Sequence, residues 1–449
     1  MPVTDRVANA VRTIVSEIGA VLPLDLTIRL WDGGELPLNG AAKNRLTLRF
    51  TDPHALTWLI RRPSLDRLIQ FYAKGGVDLE GGTFVDFAEI VGVGGTRKKL
   101  RQISRVKLVK AAFAILRGNG RKSSAALAGD TRAFDGDEAG RSAGKRDEGS
   151  FIRFHYDVGN AFYALFLDES MVYSCAYFTD WANSLDEAQH DKIDLICRKL
   201  RLRQDETLLD IGCGWGALLI HAAKHYGVRG YGVTLSVEQH KYAVEKIAAM
   251  GLSDRITIEL KPYGEVTGTF DKIVSVGMYE HIGIANYPAY FGKIKALLAP
   301  GGLFLNHGIT RPFRRNKKKR FGSRPEQRAL QRYIFPGGEL DDIGDTIRFM
   351  EDAGYEVQDV EGLREHYELT TRMWCERLTA RREEAVALAG EEIYRIWVVY
   401  LAACSLAFRR GSARLYQVLA TRSAKEPAPK PPTRDDIYAA PVPYKRQVK

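Results

Sequence analysis

Along the first eighty residues the apolar positions change period. In "MPVTDRVANAVRTIVSEIGAV", Val7, Val11, Ile14, Val15 and Ile18 recur at helical spacing, which predicts an amphipathic helix. "LDLTIRLWDG" then alternates Leu24, Leu26, Ile28 and Leu30 with polar neighbours, and "NRLTLRF" alternates Leu46, Leu48 and Phe50, the pattern of half-buried strands. "DPHALTWLIRR" predicts a helix with Asp52 as cap and Pro53 in the first turn, and a second helix follows Ser64. "KGGVDLEGG" reads as a glycine-rich turn. Together these elements predict a small α+β domain over 1–116 without a constellation of catalytic residues. Residues 117–150 hold glycine, serine, alanine and charge with almost no large apolar side chain, so they read as a flexible linker, and 424–449 read as a flexible tail.

From 151 to 423 the pattern becomes that of alternating strands and helices. "ETLLDIGCGWGALLIHAAKHYG" is a short apolar strand, Leu208–Ile211, then a glycine turn and a helix with Leu218, Leu219 and Ala222 facing inward. "GYGVTLS" is the next strand. Glycines 212, 214 and 216 let a ligand approach the backbone closely at a helix N-terminus. In nicotinamide enzymes the third glycine lies three residues past the second, and an acidic residue ends the second strand. Here the spacing is two and the strand ends in Thr234, so the loop reads as a holder of S-adenosylmethionine, not of a dinucleotide. "FDKIVSVGMYEHIG" runs a strand into Glu280 and His281, and "LLAPGGLFLNHGIT" is a turn and a strand ending at His307. Each delivers a polar residue to a C-terminal strand end, where open α/β sheets bind ligands.

Composition adds bounds. The chain has 449 residues, enough for two or three domains, and 45% hydrophobic against 27% charged residues is a globular balance. Five irregularly spaced cysteines form neither a disulfide framework nor a zinc site, which predicts a reducing compartment. No secretory signal opens the sequence, and "IWVVYLAACSLAF" (396–408) is too short to span a bilayer. A net charge of +11, concentrated in 97–110 and 314–320, points to a polyanion, either nucleic acid or an anionic membrane surface. Cys175, in "MVYSCAYF", reads as a thiol nucleophile or as a small buried hydrophobe.

The segment 151–420 resembles the cyclopropane-fatty-acid synthases. The resemblance rests on "HYDVGNAFYALFLDESMVYSCAYF", "LLDIGCGWG", "GVTLSVEQ", "SVGMYEHIG", "YIFPGG", "HYELTTRMW" and "AFRRGSARLYQVL", in the family's order. It implies a doubly wound, Rossmann-like class I methyltransferase domain at 151–423 behind the small N-terminal α+β domain. It also implies methylene transfer from S-adenosylmethionine to the cis double bond of an acyl chain in a membrane phospholipid. Tyr173, Ser174, Gly212, Gly214, Thr234, Leu235, Gln239, Tyr263 and Gly264 would then bind the cofactor, Gly264 through backbone alone. Cys175, Glu280, His307, Ile309 and Tyr367 would line a bicarbonate site, Cys175 through its N–H and not as a nucleophile.

The implied partners are unsaturated phospholipids at the inner membrane surface, met by a cytoplasmic, peripheral enzyme through its basic patches; a homodimer is compatible with this. Nucleic acid loses ground, because the chain has neither a Pro-Cys pair nor an Asn/Asp-Pro-Pro-aromatic motif. Two alternatives stay open: methyl or methylene branching without ring closure, and a lipid-binding protein without catalysis. No metal is implied.

Overall fold

The computed structural model describes residues 3–40, 44–53, 64–91, 104–118, 133, 158–314, 331–422, 431–438 and 442–444. The chain divides into two compact units. One comprises Met1–Ala133, Ser323–Tyr333 and Cys375–Leu406; the other comprises Phe134–Gly322, Ile334–Trp374 and Ala407–Lys449. Residues 375–406, assigned by sequence to the second domain, therefore group with the first.

In the first unit, β1 (Leu26–Arg29), β2 (Glu35–Pro37), β3 (Leu46–Phe50) and β4 (Val77–Glu80) form a sheet in the order β2-β1-β3-β4. The helix Val3–Val21 packs Val7, Val11 and Val15 into its core beside Leu26, Ile28 and Leu46. Ser64 caps the helix Leu65–Ala73 by accepting a hydrogen bond from Arg67 N–H, as its sequence suggests. The stretch read as a turn, 74–82, in fact contains β4. Its Val77–Glu80 pair antiparallel with β3, an edge too short to show a period of its own. The expected helix after Asp52 falls mostly on 54–63, outside the described residues, as do most of the linker and of the two basic stretches.

The second unit carries β5 (Thr207–Ile211), β6 (Arg229–Thr234), β7 (Ile256–Leu260), β8 (Phe270–Val276), β9 (Leu298–Thr310), β10 (Tyr355–Gly362) and β11 (Arg414–Arg422), in the order β10-β11-β9-β8-β5-β6-β7. From β7 through β9 the neighbours are parallel, and β11 enters antiparallel between β9 and β10. Strand β5 is apolar on both faces because both are covered: Leu208 joins one buried cluster, Leu209 and Ile211 the other. The chain leaves β5 toward β6 on one side, and β8 lies on the other. The glycine turn after β5 thus sits where the strand order reverses, the place such sheets use for ligands. Among the described residues no helix is long and apolar enough to cross a membrane.

The tail departs from expectation. Residues 431–438 are anchored: Ile437 is buried, Asp436 pairs with Arg201 at 2.7 Å, and Arg434 pairs with Asp359 at 3.0 Å. Nearby, fully buried Asp194 collects Tyr226 Oη at 2.8 Å, Arg198 Nε at 2.9 Å, His221 Nε2 at 3.1 Å and the N–H of Val442 at 3.3 Å. Burial alone would raise its pKa, but the hydrogen bonds from His221 and Tyr226 outweigh burial and hold it at about 2. Its stabilising effect is therefore whole above about pH 4, the usual carboxyl range, and is lost as pH falls through the folded value. Asp194→Ala should lower the unfolding free energy by about 3 kcal/mol. Urea titration at pH 7 checks this, and the gap between the two proteins should narrow at acid pH.

Candidate active site

The backbone comes first. Gly212, Gly214 and Gly216 all take positive φ, +78°, +55° and +84°, which side-chain-bearing residues rarely adopt. The N–H groups of Gly212 and Cys213 both donate to Val233 O, at 2.9 and 3.0 Å, which ties the turn to the end of β6. A methyl group on Gly212 would sit 3.1 Å from Met278 Cγ. One on Gly214 would meet no protein atom within 4 Å, so that position opens onto the cleft. On the far wall, Thr234 Oγ1 donates to Gln239 Oε1 at 2.9 Å and accepts from Ser236 N–H. The polar groups that this wall presents to the cleft are the hydroxyl of Thr234 and the amide of Gln239, while Glu238 is exposed and does not line it.

Tyr173, Ser174, Gly212, Gly214, Thr234, Leu235, Gln239 and Tyr263 all line one cleft, with about 1050 Å³ of unfilled space including open solvent. Gly264 does not line it; it lies in the single turn Tyr263–Glu265. Charged or ionisable side chains that sequence reasoning did not assign also line the cleft, among them Lys192, Asp210, Lys261 and His281. Burial pushes the Asp210 carboxyl up to about 7, with Lys192 pulling the other way, and its Oδ1 has no partner. An open glycine position beside an unsatisfied buried carboxyl suits a ligand with a charged, compact end, as S-adenosylmethionine has.

The five residues expected at an anion site lie outside the lining of that cleft, on elements adjacent to it. Glu280, in the short helix Tyr279–Ile282, is 2% exposed; its Oε1 accepts from Ile309 N–H at 2.5 Å while Oε2 has no partner. Burial lifts its pKa to about 7, against the lowering effect of that hydrogen bond. His307, near the end of β9, is buried and held neutral by burial, with Nε2 unpartnered. Cys175 Sγ lies 3.1 Å from Ala176 O and 3.7 Å from Leu363 O, and Leu363 O also accepts the N–H of Tyr367. Burial drives the Cys175 thiol well above its usual pKa, so it stays protonated and is a poor nucleophile. Tyr367 stacks on Phe408 with centroids 4.4 Å apart.

The proton on His307 can be placed by elimination. Lys199 Nζ, a donor only, reaches Gln417 Oε1 at 2.8 Å. The amide nitrogen of Gln417 therefore faces His307 Nδ1, at 3.2 Å, and Nδ1 must accept. The imidazole proton then resides on Nε2, the nitrogen left without a protein partner. Lys199 is held in turn by Glu361. This relay is unreadable in sequence, because Gln417 meets His307 only through the β9–β11 register.

Aromatic rings wall the neighbourhood. Tyr173 packs against Trp374 at 5.1 Å, Tyr163 at 5.2 Å and Phe166 at 6.2 Å between centroids.

A family model for mycolic acid cyclopropane synthetase matches residues 144–418. A probable fatty acid methyltransferase of Pseudomonas putida is 38% identical over 424 residues, 93% of this chain and 97% of that protein. The cyclopropane-fatty-acyl-phospholipid synthase of Escherichia coli is 38% identical over 271 residues, covering 60% of this chain and 67% of that enzyme. Among solved structures, the mycolic acid cyclopropane synthase CmaA1 complexed with SAH and CTAB aligns with a TM-score of 0.58 at 34% identity, covering 61% of this chain and 98% of that one.

Gly214→Val should weaken S-adenosylhomocysteine binding by roughly 100-fold or more, since the branched side chain would occupy the cleft and strain a left-handed residue. Isothermal calorimetry on the folded variant tests this, and unchanged affinity would displace the cofactor from the turn.

Proposed function

Because the chain belongs to the mycolic acid cyclopropane synthetase family of S-adenosylmethionine-dependent methyltransferases, we propose that it transfers a methylene group to the cis double bond of an unsaturated acyl chain in a membrane phospholipid, closing a cyclopropane ring. The observation that carries this reading is the pair of buried, half-satisfied groups, Glu280 and His307, beside a cleft suited to the cofactor. When bound, S-adenosylmethionine supplies an electrophilic methyl carbon on a sulfonium. An alkene is a weak nucleophile, and its attack leaves a carbocation that water would capture. The ring of Tyr173, packed on Phe166 and Trp374, lines the cleft and would exclude water and present a π face to the developing charge. Ring closure then requires a proton to leave the new methyl group.

The polar groups that flank the cleft without lining it are the proposed bicarbonate site. His307 Nε2–H is a free donor there, Cys175 N–H finds no acceptor among the described residues, and Glu280 Oε2 is open to accept or give a proton near neutral pH. These residues would hold bicarbonate, which there would supply a base for the departing proton. Glu280→Gln keeps the bond from Ile309 N–H and removes the titrating oxygen. It should cut turnover roughly 10²–10³-fold while leaving S-adenosylhomocysteine affinity within about twofold. Turnover within a few-fold of wild type would remove the anion pocket from the mechanism.

A second reading, branching without ring closure, is favoured by the name of the Pseudomonas relative, a probable fatty acid methyltransferase. Mass spectrometry of lipids from a host lacking the modification separates them. A gain of about 14 Da with the double bond lost supports the ring; the same gain with unsaturation kept supports a branch.

A substrate embedded in a bilayer requires docking at its surface. The helix Arg105–Gly118 turns Ala111 and Ile115 inward and exposes Val106, Val109 and Phe113 along its outer side, with Lys107, Lys110 and Arg117 around them. Apolar anchors among cations on a chain of net charge +11 suit an anionic membrane, each cation contributing about 1 kcal/mol near such a surface. Val109→Glu with Phe113→Glu should lower sedimentation with phosphatidylglycerol vesicles by roughly tenfold or more, without changing cofactor affinity. Binding that ignores salt, lipid charge and these substitutions would exclude this helix from docking.

A further inference from the structure

The helix Leu185–Lys199 buries a lysine beneath the cofactor cleft. Lys192 is 3% exposed, and its Nζ donates to Ser174 Oγ at 3.0 Å. No carboxylate comes within 4 Å of it among the described residues, and two of its three N–H donors have no protein acceptor. Burial draws its pKa down to about 8, while the charges of Asp168 and Asp210 pull it back up, so it is cationic at neutral pH. Removing a cation from water without pairing it is costly, and proteins rarely carry that cost without use. The neighbouring Asp210 repeats the arrangement with opposite sign: 3% exposed, lining the same cleft, and making no hydrogen bond through Oδ1.

Two buried charges of opposite sign, both short of partners and both lining the cleft by the glycine turn, match an α-amino acid in its zwitterionic form. We propose that Lys192 is the ion-pair partner of the α-carboxylate at the methionine end of S-adenosylmethionine, across from Asp210, which faces the α-ammonium. The proposal rests on the cofactor assignment and adds the group that recognises the ligand's amino-acid end. Ser174 has a second duty in it. By accepting from Nζ, its hydroxyl aims the ammonium, and Gln189 fixes the same residue by donating to Ser174 O at 2.8 Å. The aromatic stretch around Tyr173 is thereby pinned to the helix that carries the charge.

The test uses ligands that differ only at that end, measured by calorimetry on the whole protein. S-adenosylhomocysteine carries the carboxylate; its decarboxylated form lacks only that group; 5′-methylthioadenosine lacks the entire amino-acid end. Wild type should prefer S-adenosylhomocysteine to the decarboxylated form by about 30-fold, a typical worth for a charged hydrogen-bonded contact. Lys192→Met should erase that preference while binding 5′-methylthioadenosine within about twofold of wild type. Lys192→Arg, which keeps the charge, should retain part of it. Equal loss for all three ligands in Lys192→Met would make the lysine a structural support and overturn the proposal. A wild type indifferent to the carboxylate would overturn it without any variant, even if Lys192→Met failed to fold. A wild type that bound none of the three would remove the cofactor assignment and the proposal together.

Discussion

Desolvation is the constraint on which the site depends. In the proposed reaction a carbocation and a sulfonium would have to be kept from water while a proton is moved, so the pocket would have to be dry and polar together. The sheet meets both demands. Strands covered on both faces exclude solvent, while their C-terminal ends bring in Asp210, Glu280 and His307, each almost wholly buried. Burial has the same origin for every titration shift there. The carboxyls of Asp210 and Glu280 rise to about 7, the imidazole of His307 stays neutral, and the Cys175 thiol stays protonated. The two carboxyls, which would be fixed in charge at the surface, become poised near neutrality, whereas the imidazole and the thiol are held in their neutral forms.

Within that setting, single unmet hydrogen-bonding groups are where the proposed anion would be held. Glu280 spends one oxygen on Ile309 and keeps the other, and His307 spends Nδ1 on Gln417 and keeps Nε2. Lys199 and Gln417 decide which nitrogen of the imidazole carries the proton. Replacing the amide by an apolar residue would leave the ring free to take the other tautomer.

The sequence reveals local features well and long-range ones poorly. The helix at Val3–Val21, the alternation in β1 and β3, and the glycine turn are legible because period and turn chemistry depend only on neighbours. β4 was hidden among glycines, since four residues pairing at a sheet edge carry too little pattern to outvote the turn signals around them. Glu280 and His307 were visible as polar ends of apolar strands, whereas nothing in the sequence sets Lys192 apart from the charges around it. Only tertiary packing shows it to be sealed inside. Gln417 was hidden for a different reason, because its partner lies 110 residues away and meets it across a strand pair. The anchored part of the tail went unseen because Asp436 and Ile437 find their contacts on distant elements, with no composition signal to betray them.

The insertion of β11 between β9 and β10 has a consequence for how the chain is made. Synthesis runs from the N-terminus, so most of the second unit, including the glycine turn and His307, leaves the ribosome before the strand that completes the sheet. Until Arg414–Arg422 emerge, β9 lacks its neighbour on one side, and β10, at the end of the sheet, has no strand to pair with. A nascent chain halted there holds the cofactor turn but has two sticky edges and an untethered imidazole. The last strand is therefore the one on which both pairings depend. It seals the edges that would recruit other chains and, with Gln417, sets the tautomer of His307, so that protection from aggregation and completion of the site arrive in one step.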